Sequence, residues 1–147
     1  MPQRILVATD GSKLSRKAVQ AAIELAAQTG ASLVALHVVP RYPMSYFEGA
    51  VALDPDEVGR VEREWSERGR DIVDAVAKAA EKAGVKVRAA VDCCDSAADA
   101  ILRATRKHKC DLIVMASHGR RGISRVLLGS ETQHVLANAT TPVLVIR

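Results

Sequence analysis

The sequence predicts an α/β protein, a doubly wound domain whose parallel sheet carries helices on both faces. Three observations carry that expectation. Apolar runs of strand length alternate with amphipathic stretches of helical period, in the order βαβαβαβαβ. Hydrophobic residues make up 48% of the chain but aromatics only 3%, so the core has to be built from Ala, Val, Leu and Ile. Helices packed on a parallel sheet suit that composition better than an aromatic-rich sandwich does. The run Leu112–Ala116 is apolar without a break, as a strand buried on both faces should be. At 147 residues the chain suits one domain, 1–147, with a sizeable core.

The elements follow in order. Residues 4–9 form a first buried strand, closed by the turn Asp10-Gly11-Ser12 with Ser12 as a helix N-cap. Leu14, Ala18, Ala21, Ala22 and Leu25 then recur at helical spacing, and Gly30 stands where a C′ residue belongs. Residues 31–39 are the second strand, stopped by Pro40. The irregular stretch 41–53 holds Tyr42, Tyr46 and Phe47, which either pin the loop to the domain or shelter a ligand or a second subunit.

Asp54-Pro55-Asp56-Glu57 opens a long helix with an Asp cap, a Pro at the first position and a Glu at the third. Val58, Val61, Trp65, Ile72, Val73 and Val76 carry its apolar face. Gly59 and Gly69 weaken it by about 1 kcal/mol each relative to alanine. Residues 85–91 are the third strand, and Ser96 with Asp99 caps a helix whose face is Ala97, Ala100, Ile101 and Ala104. The strand Leu112–Ala116 comes next. A last helix begins at Ser130, where Gln133 completes a capping-box signature, and Pro142 introduces a terminal strand Val143–Ile146.

The formal net charge of +4 is compatible with an anionic ligand. Basic residues are scattered except for Arg103, Arg106, Lys107 and Lys109, and no nucleic-acid-binding motif is visible, so nucleic acid is not an expected partner. No apolar run approaches the ~18 residues that span a bilayer, and the N-terminus lacks a signal-peptide core. The expectation is a soluble cytoplasmic protein with no membrane partner. Cys93, Cys94 and Cys110 are odd in number and lack CxxC spacing, which favours reduced, buried thiols. A zinc site would need two ligands from adjacent residues, which a strand points to opposite faces.

The stretch from Asp111 to Ser130 concentrates the chemistry. Its strand breaks into a loop with Gly119 and Gly122, carries Arg120, Arg121 and Arg125, and ends at Gly129-Ser130 before a helix. Strand, glycine loop and helix N-terminus together make an anion cradle, because free N–H groups and the positive dipole end face the ligand. An ordinary crossover with solvated arginines is the competing reading. His118 and Ser117 are adjacent and are not expected to face each other as a nucleophile pair.

This segment resembles the nucleotide signature of the universal stress protein family, ATP-binding type: Gly-x-x-Gly, nine residues, then Gly-Ser or Gly-Thr. Gly119 matches the second glycine, Gly129 and Ser130 the final pair, and the first glycine falls on Ala116. The resemblance extends from residue 4 to residue 146. It implies the sheet order 3-2-1-4-5 and a ligand crevice between the first and fourth strands. It further implies that Asp10 holds a ribose, that the Val38 main chain pairs with adenine, and that Gly119, Gly129 and Ser130 bind phosphates. Arg120 and Arg121 are possible additional phosphate contacts, and ATP is the expected cofactor, with Mg a possible companion.

Three departures stand out. Ala116 adds a methyl at the sugar, and overpacking of ~1–3 kcal/mol corresponds to about tenfold to hundredfold weaker binding. Cys94-Asp95-Ser96 replaces a Gly-Asp/Glu-Pro pattern. Glu131 brings a carboxylate that suits the helix dipole but repels a phosphate. The resemblance also implies a homodimer formed through the C-terminal strand, in which Pro142 precedes an apolar edge. The function expected is a stress-response adenine-nucleotide-binding module with a protein partner still to be found. A nucleotide-free dimeric scaffold and a slow ATP hydrolase are the alternatives; the latter lacks a P-loop and a motif-supported base.

Overall fold

A computed structural model describes residues 1–41, 55–119 and 128–147. The elements run β1 (Arg4–Ala8), α1 (Lys13–Thr29), β2 (Ser32–Val39), α2 (Pro55–Lys82), β3 (Val87–Cys93), α3 (Ala97–Lys107), β4 (Leu112–Ala116), α4 (Ser130–Asn138) and β5 (Val143–Ile146). All strand pairs are parallel and the order is β3-β2-β1-β4-β5. The expected doubly wound architecture is therefore the observed one.

Alternation along each strand splits the core in two. Ile5 and Val7 of β1 face α1 and α2 with Leu33 and Ala35, whereas Leu6 faces α3 and α4 with Val34, Leu36 and Ile113. Ala18, Ala22 and Ala26 form the inner stripe of α1, all essentially buried. Small side chains at successive turns let a helix lie close to the strands it covers.

Local signals act as expected at several ends. Ser12 caps α1 by accepting a bond from the Ser15 N–H at 3.2 Å, and Ser96 caps α3 through the Asp99 N–H at 3.1 Å. Gly30 ends α1 with φ +75°, a left-handed conformation that glycine adopts without penalty. Asp54, the expected cap of α2, lies outside the described residues, as do Tyr42, Tyr46 and Phe47.

Three expectations need correcting. β3 begins two residues later than read and continues to Cys93, because Val85 packs into the α1–α2 core before pairing starts. In α2 full burial falls on Gly69, Val73, Val76 and Ala80, all in its second half, while Val58, Val61, Trp65 and Ile72 of the expected face are half-buried. Gly69 is there for packing: a Cβ at that position would stand 2.6 Å from the His37 ring. That ring is fixed in turn, since its Nδ1 donates to the Thr9 carbonyl at 2.8 Å and must carry the proton to do so. Cys110 is buried as expected, but Cys93 is exposed and Cys94 half-buried.

Candidate functional site

β1 has β2 on one side and β4 on the other, so the chain leaves its two neighbours in opposite directions and a crevice opens beyond their carboxyl ends. An inner cavity of about 150 Å³ is lined by Leu36, Val38, Ile101, Met115 and Ala116, with Thr9 and Asp10 among its polar groups. An outer one of about 530 Å³ is lined by Pro40, Asp95, Gly129, Ser130 and Thr132 among others. Asp10, Val38, His118, Gly119 and Glu131 line both, so the two are compartments of one crevice.

Asp10 takes the turn-forming role that the sequence leaves open to it, and it stands at the crevice wall. Its Oδ1 accepts the Ser12 N–H at 2.8 Å and forms the turn into α1. Its Oδ2 lies against Gly119, where an added Cβ would stand only 2.8 Å away. Thr9 and Ser15, which the sequence did not single out, brace this lip through a 3.0 Å bond between their hydroxyls.

Val38 is half-buried and faces both compartments. The Leu36 carbonyl accepts from Thr9 N, and the Val39 carbonyl from Cys94 N. Main-chain groups alternate sides along a strand, so Val38 directs its N–H and C=O toward the β1 side. β1 has already ended at Ala8, which leaves those groups at the gap.

On the opposite lip, Ala116 ends β4, is 8% exposed and lines the inner compartment. Its carbonyl accepts from the Thr132 hydroxyl at 3.0 Å, a buried bond that ties β4 to α4. Ser117 N donates to the Ile146 carbonyl at 2.8 Å, and Gly129 N to the Ser117 carbonyl at 2.7 Å. Gly129 cannot carry a side chain without crowding the His118 main chain, 3.1 Å from the position of its Cβ.

The capping box at Ser130 does not form. Gly129 is the N-cap of α4 and has no side chain to cap it with, and the Gln133 amide donates to the Leu128 carbonyl at 2.7 Å. Ser130 is exposed as the first helical residue, at the wall of the outer compartment. Ser117 and His118 also differ from expectation. Their Oγ and Nδ1 are 3.2 Å apart, yet Ser117 is 6% exposed and absent from the crevice wall, so the contact orients the loop.

Glu131 is the departure whose setting matters most. Its Oε2 accepts the Ala98 N–H at 2.6 Å, so the carboxylate satisfies an orphan donor of the α3 N-terminus. Arg120, Arg121 and Arg125 lie outside the described residues.

In open parallel sheets the crevice lies where the strand order reverses, so fold and crevice together define a doubly wound domain with a cleft at its switch point. Sequence comparison narrows this further: the chain belongs to the universal stress protein family, whose model matches residues 1–147. A universal stress protein of Methanocaldococcus jannaschii is 35% identical over 146 residues, covering 99% of this chain and 82% of its own. The solved structure of universal stress protein UspA from Lactobacillus plantarum superposes with a TM-score of 0.83 at 23% identity, covering 99% of this chain and 97% of that one. A universal stress protein solved in complex with cAMP aligns at 25% identity with a TM-score of 0.69, covering 99% of this chain and 97% of its own.

Proposed function

We propose that this protein is an adenine-nucleotide-binding stress-response module of the cytoplasm, acting as a homodimer, with ATP as its nucleotide. The observation that carries the reading is the paired glycine cradle. A Cβ at Gly119 would stand 2.8 Å from Asp10, and one at Gly129 would crowd the His118 main chain at 3.1 Å. A backbone kept bare at both places, beside a helix N-terminus whose cap residue is glycine, suits close approach by phosphate.

The compartments divide the ligand between them. The inner, mostly apolar one suits adenine, with Val38 supplying a main-chain donor and acceptor at its edge. Asp10 is placed for ribose hydroxyls, and Gly119, Gly129 and Ser130 for the phosphates, with Mg arriving as Mg·ATP. The Ala116 methyl narrows the inner compartment. The bound cAMP of the relative described above supports an adenine nucleotide as the ligand class.

Binding rather than turnover is the role proposed. Two of the crevice acids have structural duties, Asp10 at Ser12 and Glu131 at Ala98, and the third, Asp95, has no motif support as a base. Dimerisation is assigned to β5, an edge strand with Leu144 39% exposed, which offers main-chain groups and an apolar side chain to a second copy.

Calorimetric titration with ATP, ADP, AMP and cyclic AMP, each with and without Mg, tests the reading. Saturable heat that disappears in Gly129→Trp supports it. A folded protein that gives no heat with any of the four at millimolar concentration leaves the nucleotide-free scaffold.

A further inference from the structure

The pole of the sheet opposite the crevice carries a second cavity, of about 420 Å³, where β1, β2 and β3 begin and α3 ends. Its wall includes Arg4, Lys86, Arg88, Lys107, His108 and Lys109, and no acid. All but the half-buried His108 are exposed.

Ion pairs on the described surface are few. Arg103 meets Asp92 at 2.6 Å and Arg70 lies 4.0 Å from Asp74, but none of the six residues of this cavity has an ion-pair partner among the described residues. Asp111, adjoining this pole, directs its carboxylate to the Gln3 and Arg4 main-chain N–H groups, at 2.9 and 3.0 Å. The Arg4 guanidinium donates to the His108 carbonyl at 2.6 Å, which fixes one cation at the wall.

A plain structural duty accounts for part of the cluster. Lys107 complements the negative dipole end of α3, where cations are favoured. Lys86 and Arg88 belong to the start of β3 and Arg4 to β1, so no helix end explains them. Five permanent cations drawn from three elements repel one another at a cost that a bound polyanion removes. The volume is that of a small-molecule site, and the cavity is concave rather than the extended stripe that a nucleic acid tracks.

We propose that this cavity is a second anion site, taking a compact oligophosphate with at least two adjacent phosphate groups. Several charges in one ligand are needed to engage bases arriving from β1, β3 and the end of α3 together. The site stands independently of the crevice and of any nucleotide bound there.

Sodium tripolyphosphate is the probe, followed by amide chemical shifts and by calorimetry at low and high salt. The expected result is movement of residues 86–88 and 107–109, with binding about tenfold or more weaker in the double variant Arg88→Ala/Lys107→Ala. Both positions are exposed, and unchanged thermal melting would show the variant folded. Equal binding by variant and wild type overturns the site. So do shifts confined to residues 116–119 and 129–132, which would place the anion in the crevice. Tighter binding of a single-stranded oligonucleotide or of anionic phosphatidylserine vesicles through the same residues also overturns it, in favour of a macromolecular partner.

Discussion

Glu131 accepts the main-chain N–H of Ala98 at 2.6 Å, so the first turn of α4 caps the first turn of α3. One helical turn further along, His134 Nε2 meets Asp99 Oδ1 at 3.1 Å and reinforces the junction. A carboxylate that sequence alone sets against a phosphate thus has an architectural task, closing a contact between residues 33 positions apart.

Removing that acceptor should be felt in stability first. Glu131→Ala is expected to destabilise by about 0.5–2 kcal/mol, the cost of losing a cap, measured by urea unfolding. Glu131→Gln keeps an oxygen for Ala98 and removes the charge. It should lose less stability and bind nucleotide more tightly than wild type in calorimetry.

Gly119→Ala should damage fold and crevice together. The new methyl meets Asp10 Oδ2 at 2.8 Å, and the carboxylate cannot swing away without releasing Ser12 from its other oxygen. Overpacking of this kind costs about 1–3 kcal/mol. Nucleotide affinity should fall by about tenfold or more, read by the same titration.

The two glycines inside α2 should respond in opposite directions. At Gly59 an added Cβ meets, among the described residues, only the Arg63 guanidinium at 3.4 Å, so Gly59→Ala is expected to stabilise by about 0.5–1 kcal/mol through helix propensity. At Gly69 the same change drives a methyl into the tethered His37 ring, and a net loss of about 1–2 kcal/mol is expected. Thermal or urea melts of the pair decide it. A more stable Gly69→Ala would mean that the ring moves aside freely.

Burial pushes the Cys110 thiol up to about 11 from an ordinary 9.0. A thiol raised in the folded state stabilises fully below the unfolded value. Its contribution fades from 9.0 upward and is gone once pH passes about 11. Alkaline unfolding should therefore shift to higher pH in Cys110→Ala, relative to its own stability at neutral pH. Iodoacetamide at about pH 8 should modify Cys93 and Cys94 in the native protein and Cys110 only after unfolding.

Leu144 tests the assembly. Leu144→Lys places a charge on the β5 edge and should convert a dimer into a monomer at micromolar concentration in sedimentation velocity. A wild-type protein that sediments as a monomer would itself remove the dimer reading.

The architecture was readable because its signals are local. Runs such as Leu112–Ala116 need no partner to reveal a doubly covered strand, and Ser12, Gly30 and Ser96 mark helix ends by their own chemistry. Sheet order is not local, and its expectation came with the family resemblance. The crevice residues Asp10, Val38, Ala116, Gly119, Gly129 and Ser130 were likewise named in advance, and the fold gathers all six around one opening.

What escaped the sequence depends on contacts between distant segments. Gly69 reads as a propensity defect until His37 is seen behind it, and nothing near Glu131 announces Ala98. The capping box is absent because the helix starts one residue early: the Gly129 carbonyl already accepts the Gln133 main-chain N–H, which makes Gly129 the cap. Thr132 joins the list, since its hydroxyl finds the Ala116 carbonyl only once β4 and α4 are assembled.

The 2.8 Å bond from Ser117 N to the Ile146 carbonyl has a mechanical corollary. It acts as a drawstring between the outer margin of the molecule and the mouth of its hollow. Detaching Ile146 leaves the Ser117 N–H, two positions before Gly119 in the chain, without its acceptor, and whatever coupling free energy that bond carries acts equally in both directions.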